Sequence, residues 1–220
     1  MVKIPFISKL FFYRNYSTKG LSKWWDNREM DWEKDYFATW KYPHRAVLTM
    51  MLKPLMPASV WEVGVGGGAN LMRIIQEIYG GRPVAAVLGG SDISKSAIDF
   101  CTKKFQGGVF HHESGDDMMM SDKSVDIIVT DMTLIYVGPF KIKDYLKEFK
   151  RVARKYVILL EFNSPSFKKR WLYRIRHGQH AHDYRKLLED LGYYNIIVQR
   201  VPPQFGVQGD LIHVITAQIP

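Results

Sequence analysis

From residue 59 onward, apolar runs alternate with glycine- or polar-rich breaks in a strand–helix–strand rhythm. Val60, Trp61, Val63 and Val65 give a short buried strand, and Gly64, Gly66, Gly67 and Gly68 give a turn almost without side chains. Leu71, Met72, Ile74, Ile75 and Ile78 then recur at helical spacing. Gly80-Gly81 breaks the chain, and Pro83 opens a second strand, Val84–Leu88, ending at Gly89-Gly90-Ser91-Asp92. Ser94 is the N-cap of a helix that turns Ala97, Ile98, Cys101 and Phe105 inward. Gly108–His112 predicts a third strand, and Ser124–Asp131 a fourth, entered through Asp126. Residues 141–154 predict an amphipathic helix with Ile142, Tyr145, Leu146, Phe149 and Val152 inside. Tyr156–Leu160 is a fifth strand and residues 163–182 read as irregular and basic. Asp183–Leu191 is a helix closed by Gly192, and Tyr194–Val201 and Leu211–Ile219 are strands joined by Pro202–Asp210.

Upstream the pattern changes. Trp24, Trp25, Trp32, Tyr36, Phe37, Trp40 and Tyr42 crowd one stretch, with Trp32, Tyr36 and Trp40 four apart, on one face of a predicted helix. That face either packs the segment onto the sheet or roofs a pocket with flat apolar walls. Another helix starts at Pro43, buries Val47, Leu48, Met51 and Leu52, and stops before Pro54. The expected organisation is an arm or lid over 1–42 and an α/β domain over 43–220.

At 46% apolar content, 220 residues suit one such domain with a single core. One cysteine, Cys101, excludes an internal disulfide framework and a cysteine-based zinc site, and points to a reducing, cytoplasmic setting. The net charge of +9 is unevenly placed. Residues 1–25 hold five Lys/Arg and no acid, and residues 141–186 hold fourteen against four, so the remainder is net acidic. The basic stretches can face phosphate, as RNA, anionic lipid or a phosphorylated substrate, or can simply be solvated. Residues 1–23 mix lysines with Ile4, Phe6, Leu10 and Phe11. They read as a packed arm, a segment similar to a transit peptide, or a peripheral membrane contact. No apolar run reaches the roughly 20 residues of a membrane span.

The chemistry centres on the glycine turn. Without a Cβ, the backbone admits a ligand directly, and the N–H groups of the following helix face it. Two cofactor classes use this device. Gly64-Val-Gly66-Gly-Gly-Ala69 fits the dinucleotide fingerprint of NAD or FAD proteins. Asp92, at the tip of the second strand, can accept ribose hydroxyls in either class. Glu62-Val65-Gly68, read in full as Glu-Val-Gly-Val-Gly-Gly-Gly, also resembles motif I of the class I S-adenosylmethionine (SAM)-dependent methyltransferases. Gly115-Asp116 ahead of Val125-Asp126-Ile-Ile-Val resembles that family's adenine loop and fourth strand, and the terminal helix and hairpin resemble its ending.

The resemblance covers residues 43–220. It implies a Rossmann-like, doubly wound, mostly parallel seven-stranded sheet with an antiparallel C-terminal hairpin strand, preceded here by a helical extension. It also implies SAM as cofactor. The methionine part would lie on Glu62, Gly64, Val65, Gly66, Gly68 and Asn70, the ribose at Asp92 and Ile93, the adenine at Asp116 or Asp117, and the sulfonium beside Asp131 and Met132. No metal is expected: His180 and His182 lack zinc-motif spacing and an acidic partner cluster. After the fourth strand, Asp131-Met-Thr-Leu replaces the Pro-Pro-aromatic motif of amine-directed base methyltransferases, and Cys101 is misplaced for cytosine C5 chemistry. The expected acceptor is therefore an O or N nucleophile on a small molecule, glycan or lipid precursor, with RNA or protein as the alternative. Tyr42-Pro-His-Arg45 resembles small bacterial and phage-type methyltransferases. His44, Tyr136 and His182 are candidate bases, and none is compelling.

Overall fold

The computed structural model describes residues 18–81, 88–207 and 209–220. Its seven strands are β1 Val60–Val63, β2 Leu88–Asp92, β3 Val109–His112, β4 Val125–Asp131, β5 Ala153–Phe162, β6 Tyr194–Arg200 and β7 Ile212–Gln218. They lie in the order β3-β2-β1-β4-β5-β7-β6. The first five are parallel, and β7 runs antiparallel between β5 and β6. The helices are α1 Thr18–Asp26, α2 Ala46–Leu52, α3 Ala69–Glu77, α4 Lys95–Lys104, α5 Ile142–Val152, α6 Phe167–His177 and α7 Tyr184–Asp190. This is the Rossmann-like, doubly wound arrangement that the strand–helix rhythm and the terminal hairpin implied.

Covering both faces of a parallel sheet demands strands that are apolar on both sides. Ile127, Ile128 and Val129 of β4 and Val157–Leu160 of β5 are all buried, which explains their unbroken apolar runs. One core packs α2, α3 and α4 on the sheet through Leu48, Leu52, Leu71, Ile74 and Ile98. The other packs α5 and α7 through Leu146, Phe149, Tyr184 and Leu188. All five inward positions expected of α5 are buried. The strand order reverses between β1 and β4, and at such a switch point the strand ends part to leave a crevice.

Three expectations change. In the second strand, Val84–Val87 lies outside the described residues, but Gly89, Gly90 and Ser91 are inside β2 rather than past its end. Trp61 is the reason: a Cβ on Gly89 would overlap the Val109 carbonyl and sit 2.6 Å from the Trp61 ring. Second, Trp32–Tyr36 is a π-type turn and Phe37–Lys41 a 3-10 turn, so Trp32, Tyr36 and Trp40 do not share one α-helical face. Third, the basic segment is not irregular throughout. It contains α6, capped by the Ser166 hydroxyl at one end and by Gly178, at φ 71°, at the other. No residue of α6 is buried, so the inward stripe that reveals a helix in sequence is missing. The expectations for residues 1–17 fall outside the described residues.

Gly89→Ala is expected to lower the unfolding free energy by about 1–3 kcal/mol through overpacking. Gly138→Ala, where a Cβ meets nothing within 4 Å, should stay within about 0.5 kcal/mol. Urea denaturation of the pair checks this, and equal values would refute the close Gly89–Trp61 packing.

Candidate active site

The C-terminal ends of β1, β2 and β4 open into a cavity of about 230 Å³, many times the ~10–15 Å³ that admits one water. Its floor is the turn after β1. Gly64 N and Val65 N both donate to Ser91 O, at 2.7 and 3.0 Å, which ties the turn to β2. Gly64 has φ 76°, and a Cβ there would overlap the Thr133 side chain. Gly66, at φ 50°, donates its N–H to Asp92 Oδ2 at 2.9 Å, and Ser94 N donates to Asp92 Oδ1 at 2.9 Å. Each carboxylate oxygen keeps a lone pair for a ligand. Burial raises the Asp92 carboxyl above its ordinary range, and the two N–H donors pull it back.

Beside the turn, side chains from β1, α3, β4 and the two short turns ahead of α2 form one network. Asn70 Nδ2 donates to Glu62 Oε1 at 2.7 Å and to Asp131 Oδ2 at 3.1 Å. Arg45 Nη1 donates to Asn70 Oδ1 and to Asp131 Oδ2, each at 3.0 Å. Thr39 Oγ1 receives Arg45 Nε and Nη2 at 3.2 and 2.9 Å, fixing the guanidinium from the other side. Glu62 Oε2 and Asp131 Oδ1 are buried with no hydrogen-bond partner. Burial pushes the Glu62 carboxyl up to about 8, against the pull of Asn70 and Arg45. Among the described residues lining the cavity, Glu62, Asp92, Glu113 and Asp131 face one permanent cation, Arg45. Such a cavity favours a cationic ligand.

The roof comes from the aromatic stretch. Ser22 Oγ donates to Ile93 O at 2.6 Å, Lys95 N donates to Asp26 Oδ1 at 3.0 Å, and Trp32 Nε1 donates to Ser96 Oγ at 3.0 Å. These bonds seat α1 and the turn after it on the β2–α4 connection. Trp25, Trp32 and Tyr36 thereby line the cavity, opposite Tyr136, whose ring meets Trp25 edge-on at 5.5 Å. Met132, at φ 53°, begins the wall after β4. Buried Glu161 shapes that wall by accepting Thr133 N and Leu134 N at 3.0 Å each.

Residues 60–156 match the sequence model of a methyltransferase domain. That match runs from β1 into β5. The chain is similar to magnesium protoporphyrin IX methyltransferase from Synechocystis PCC 6803 with bound S-adenosylhomocysteine (TM-score 0.60, 16% identity, 96% of this chain and 99% of that one). It is also similar to SAM-dependent methyltransferases from Aquifex aeolicus (0.55, 16%, 94% and 100%) and Archaeoglobus fulgidus (0.58, 16%, 84% and 100%). At such identities these likenesses speak for the fold. No curated protein matches the chain by sequence.

The fold brings Glu62, Gly64, Val65, Gly66, Asn70, Asp92, Ile93, Asp131 and Met132 together around the cavity. Three expected residues are elsewhere. Gly68, at φ 73°, starts α3 and packs against Phe105 and Cys101. Asp116 hydrogen-bonds Ser114 and pairs with Lys141 Nζ at 3.2 Å, and Asp117 is exposed. Glu113 and Gly115 take their place at the cavity, and Glu113 Oε1 is buried without a partner. Of the three candidate bases, His44 and Tyr136 line the cavity. His182 is buried with its ring on the Val137 carbonyl, at 3.0 Å. Arg45 and Glu113 had no role in the sequence reading. For Arg45 the available signal was a lone cation immediately ahead of an apolar run.

Burial holds the Glu161 carboxyl up to about 8. The folded state therefore keeps a proton that the unfolded chain has lost, and stability falls as pH rises toward 8. His180 and His182, pushed down to about 3 and 4 by burial, contribute their own pH dependence only below about 6.5. Between pH 6.5 and 8, Glu161→Gln should flatten the decline by up to about 1.4 kcal/mol per pH unit. Denaturation midpoints with an unchanged slope would contradict a neutral, buried Glu161.

Proposed function

We propose that the enzyme transfers the methyl group of SAM to an O or N nucleophile on a small-molecule, glycan or lipid-precursor acceptor. The observation that carries this is the roof: α1 and residues 32–45 close an aromatic-walled chamber over the glycine turn. Such a chamber suits a compact acceptor group better than a folded RNA or protein surface. In this reading residues 1–42 are a lid on a catalytic domain of residues 43–220.

The donor's fit rests on the orphaned oxygens. Glu62 Oε2 and Asp131 Oδ1 would take the α-ammonium, and Arg45 the α-carboxylate, with its donors already aligned by Thr39 and Asn70. Asp92 would hold the ribose hydroxyls, and Glu113 Oε1 the adenine amine in place of Asp116 or Asp117. When bound, SAM supplies an electrophilic methyl on a sulfonium centre. The chain's own task is alignment and exclusion of water, which the turn, Met132, Thr133 and the aromatic roof perform. For a hydroxyl acceptor, the His44 ring would take the proton. Burial lowers its pKa, so it is neutral and ready to accept. Asp131, 3.9 Å from Nε2, would stabilise the imidazolium that forms.

Calorimetry with S-adenosylhomocysteine should show binding that weakens about 10–100-fold in Asp92→Asn, the cost of a charged hydrogen bond, while NADH does not bind. Methyl-labelled SAM incubated with fractionated cell extract should then label the low-mass or lipid fraction, and His44→Gln should abolish labelling without changing that affinity. Label confined to RNA or protein would overturn the acceptor class, and NADH binding would overturn the donor.

A further inference from the structure

Helix α6 leaves the C-terminal end of β5, on the edge of the sheet that carries the cavity. The segment after it is bonded to the cavity wall: His180 N donates to Ile135 O at 2.7 Å, and the His182 ring meets Val137 O. Its residues, Phe-Lys-Lys-Arg-Trp-Leu-Tyr-Arg-Ile-Arg-His, include five Lys/Arg and no acid. Phe167 and Trp171 are 74% and 53% exposed, and with the partly exposed Ile175 they stand four residues apart. That spacing makes one apolar ridge along the helix. The opposite side is anchored by Tyr173, edge-on to Phe162 at 5.1 Å, and Arg170 Nη1, beside Phe167, ties the first turn to the Ser164 and Pro165 carbonyls. Lys169 pairs with Asp210, whereas Lys168, Arg174 and Arg176 have no ion pair among the described residues. Phe140, 95% exposed, stands on the β4–α5 connection at the same sheet edge.

We propose that this face is a docking surface for an anionic lipid bilayer, with Phe167, Trp171 and Ile175 entering the interface, Lys168 and Arg174 on either side of them meeting the headgroups, and Arg176, farther round the last turn, adding to the positive field. An exposed aromatic ridge flanked by unpaired cations complements that surface in both respects, apolar depth and negative charge. A single-stranded nucleic acid would call for a groove with separate stacking platforms, whereas these side chains form a convex rod. Docking through α6 would bring the cavity edge to the membrane. The inference thus deepens the proposed function toward a lipid-borne acceptor, and rests on that reading only for the acceptor.

The full-length protein would be sedimented with phosphatidylcholine vesicles, with and without 30% phosphatidylglycerol, and titrated in parallel with single-stranded RNA. Expected is binding that needs the anionic lipid and falls with salt. It should weaken at least tenfold in Lys168→Glu/Arg174→Glu/Arg176→Glu, and separately in Phe167→Ser/Trp171→Ser. Circular dichroism and S-adenosylhomocysteine affinity should remain as in the wild type, because none of these residues lines the cavity. Vesicle binding unchanged in both variants, no vesicle binding at all, or charge-dependent binding to RNA alone would overturn the proposal. Loss of S-adenosylhomocysteine binding in the wild type would sink the donor assignment while leaving the vesicle result standing.

Discussion

Among the described residues, four carboxylates share one cavity with a single guanidinium, and the site is arranged around that imbalance. Isolated carboxylates are costly to bury, and the protein meets the cost by three routes. Arg45 and Asn70 bridge Glu62 to Asp131, backbone N–H groups cap both oxygens of Asp92, and burial holds Glu62 toward its neutral form until a cation arrives to ionise it. What stays unmet, one oxygen each on Glu62, Asp131 and Glu113, is the part of the charge balance left for a ligand. A sulfonium amino acid, carrying a fixed positive charge and an ammonium, is the complement of such a site.

The sheet makes the imbalance hard to avoid. Parallel strands end on the same side, so residues at the tips of β1, β2 and β4 converge wherever the strand order reverses. Register sets which residues those are: Glu62 pairs with Gly90 on one side and Val129 on the other, leaving Asp92 and Asp131 to overhang. The turn can then lie flat between them only because Gly64 and Gly66 accept positive φ, and Gly64 has no side chain to strike Thr133. Glu161, one strand farther out, performs the matching service for the wall after β4.

Most of the frame was legible, because it is written in strong local signals. Buried strands announced themselves as apolar runs, α5 as a five-residue inward stripe, and the glycine turn as an interruption between strand and helix. Nine of the expected cofactor residues meet at the cavity because they sit on those elements. The misses have physical causes. Arg45 and Glu113 act through long side chains reaching across from elements far away in sequence, which no spacing rule reports. Asp116 has the position that the resemblance implied, but Lys141 and Ser114 engage it. Helix α6 went unseen since none of its residues is fully buried, although its caps, Ser166 and Gly178, were there to be read. Gly89 and Gly90 read as a strand end when they were instead the room that Trp61 and Val65 require.

The most direct measurement is a crystal structure of the enzyme with S-adenosylhomocysteine bound. The account predicts the ligand's α-ammonium within about 3 Å of Glu62 Oε2 or Asp131 Oδ1, its carboxylate on Arg45, and its ribose on Asp92. A ligand seated outside the cavity, or those two oxygens still without partners in the complex, would contradict it.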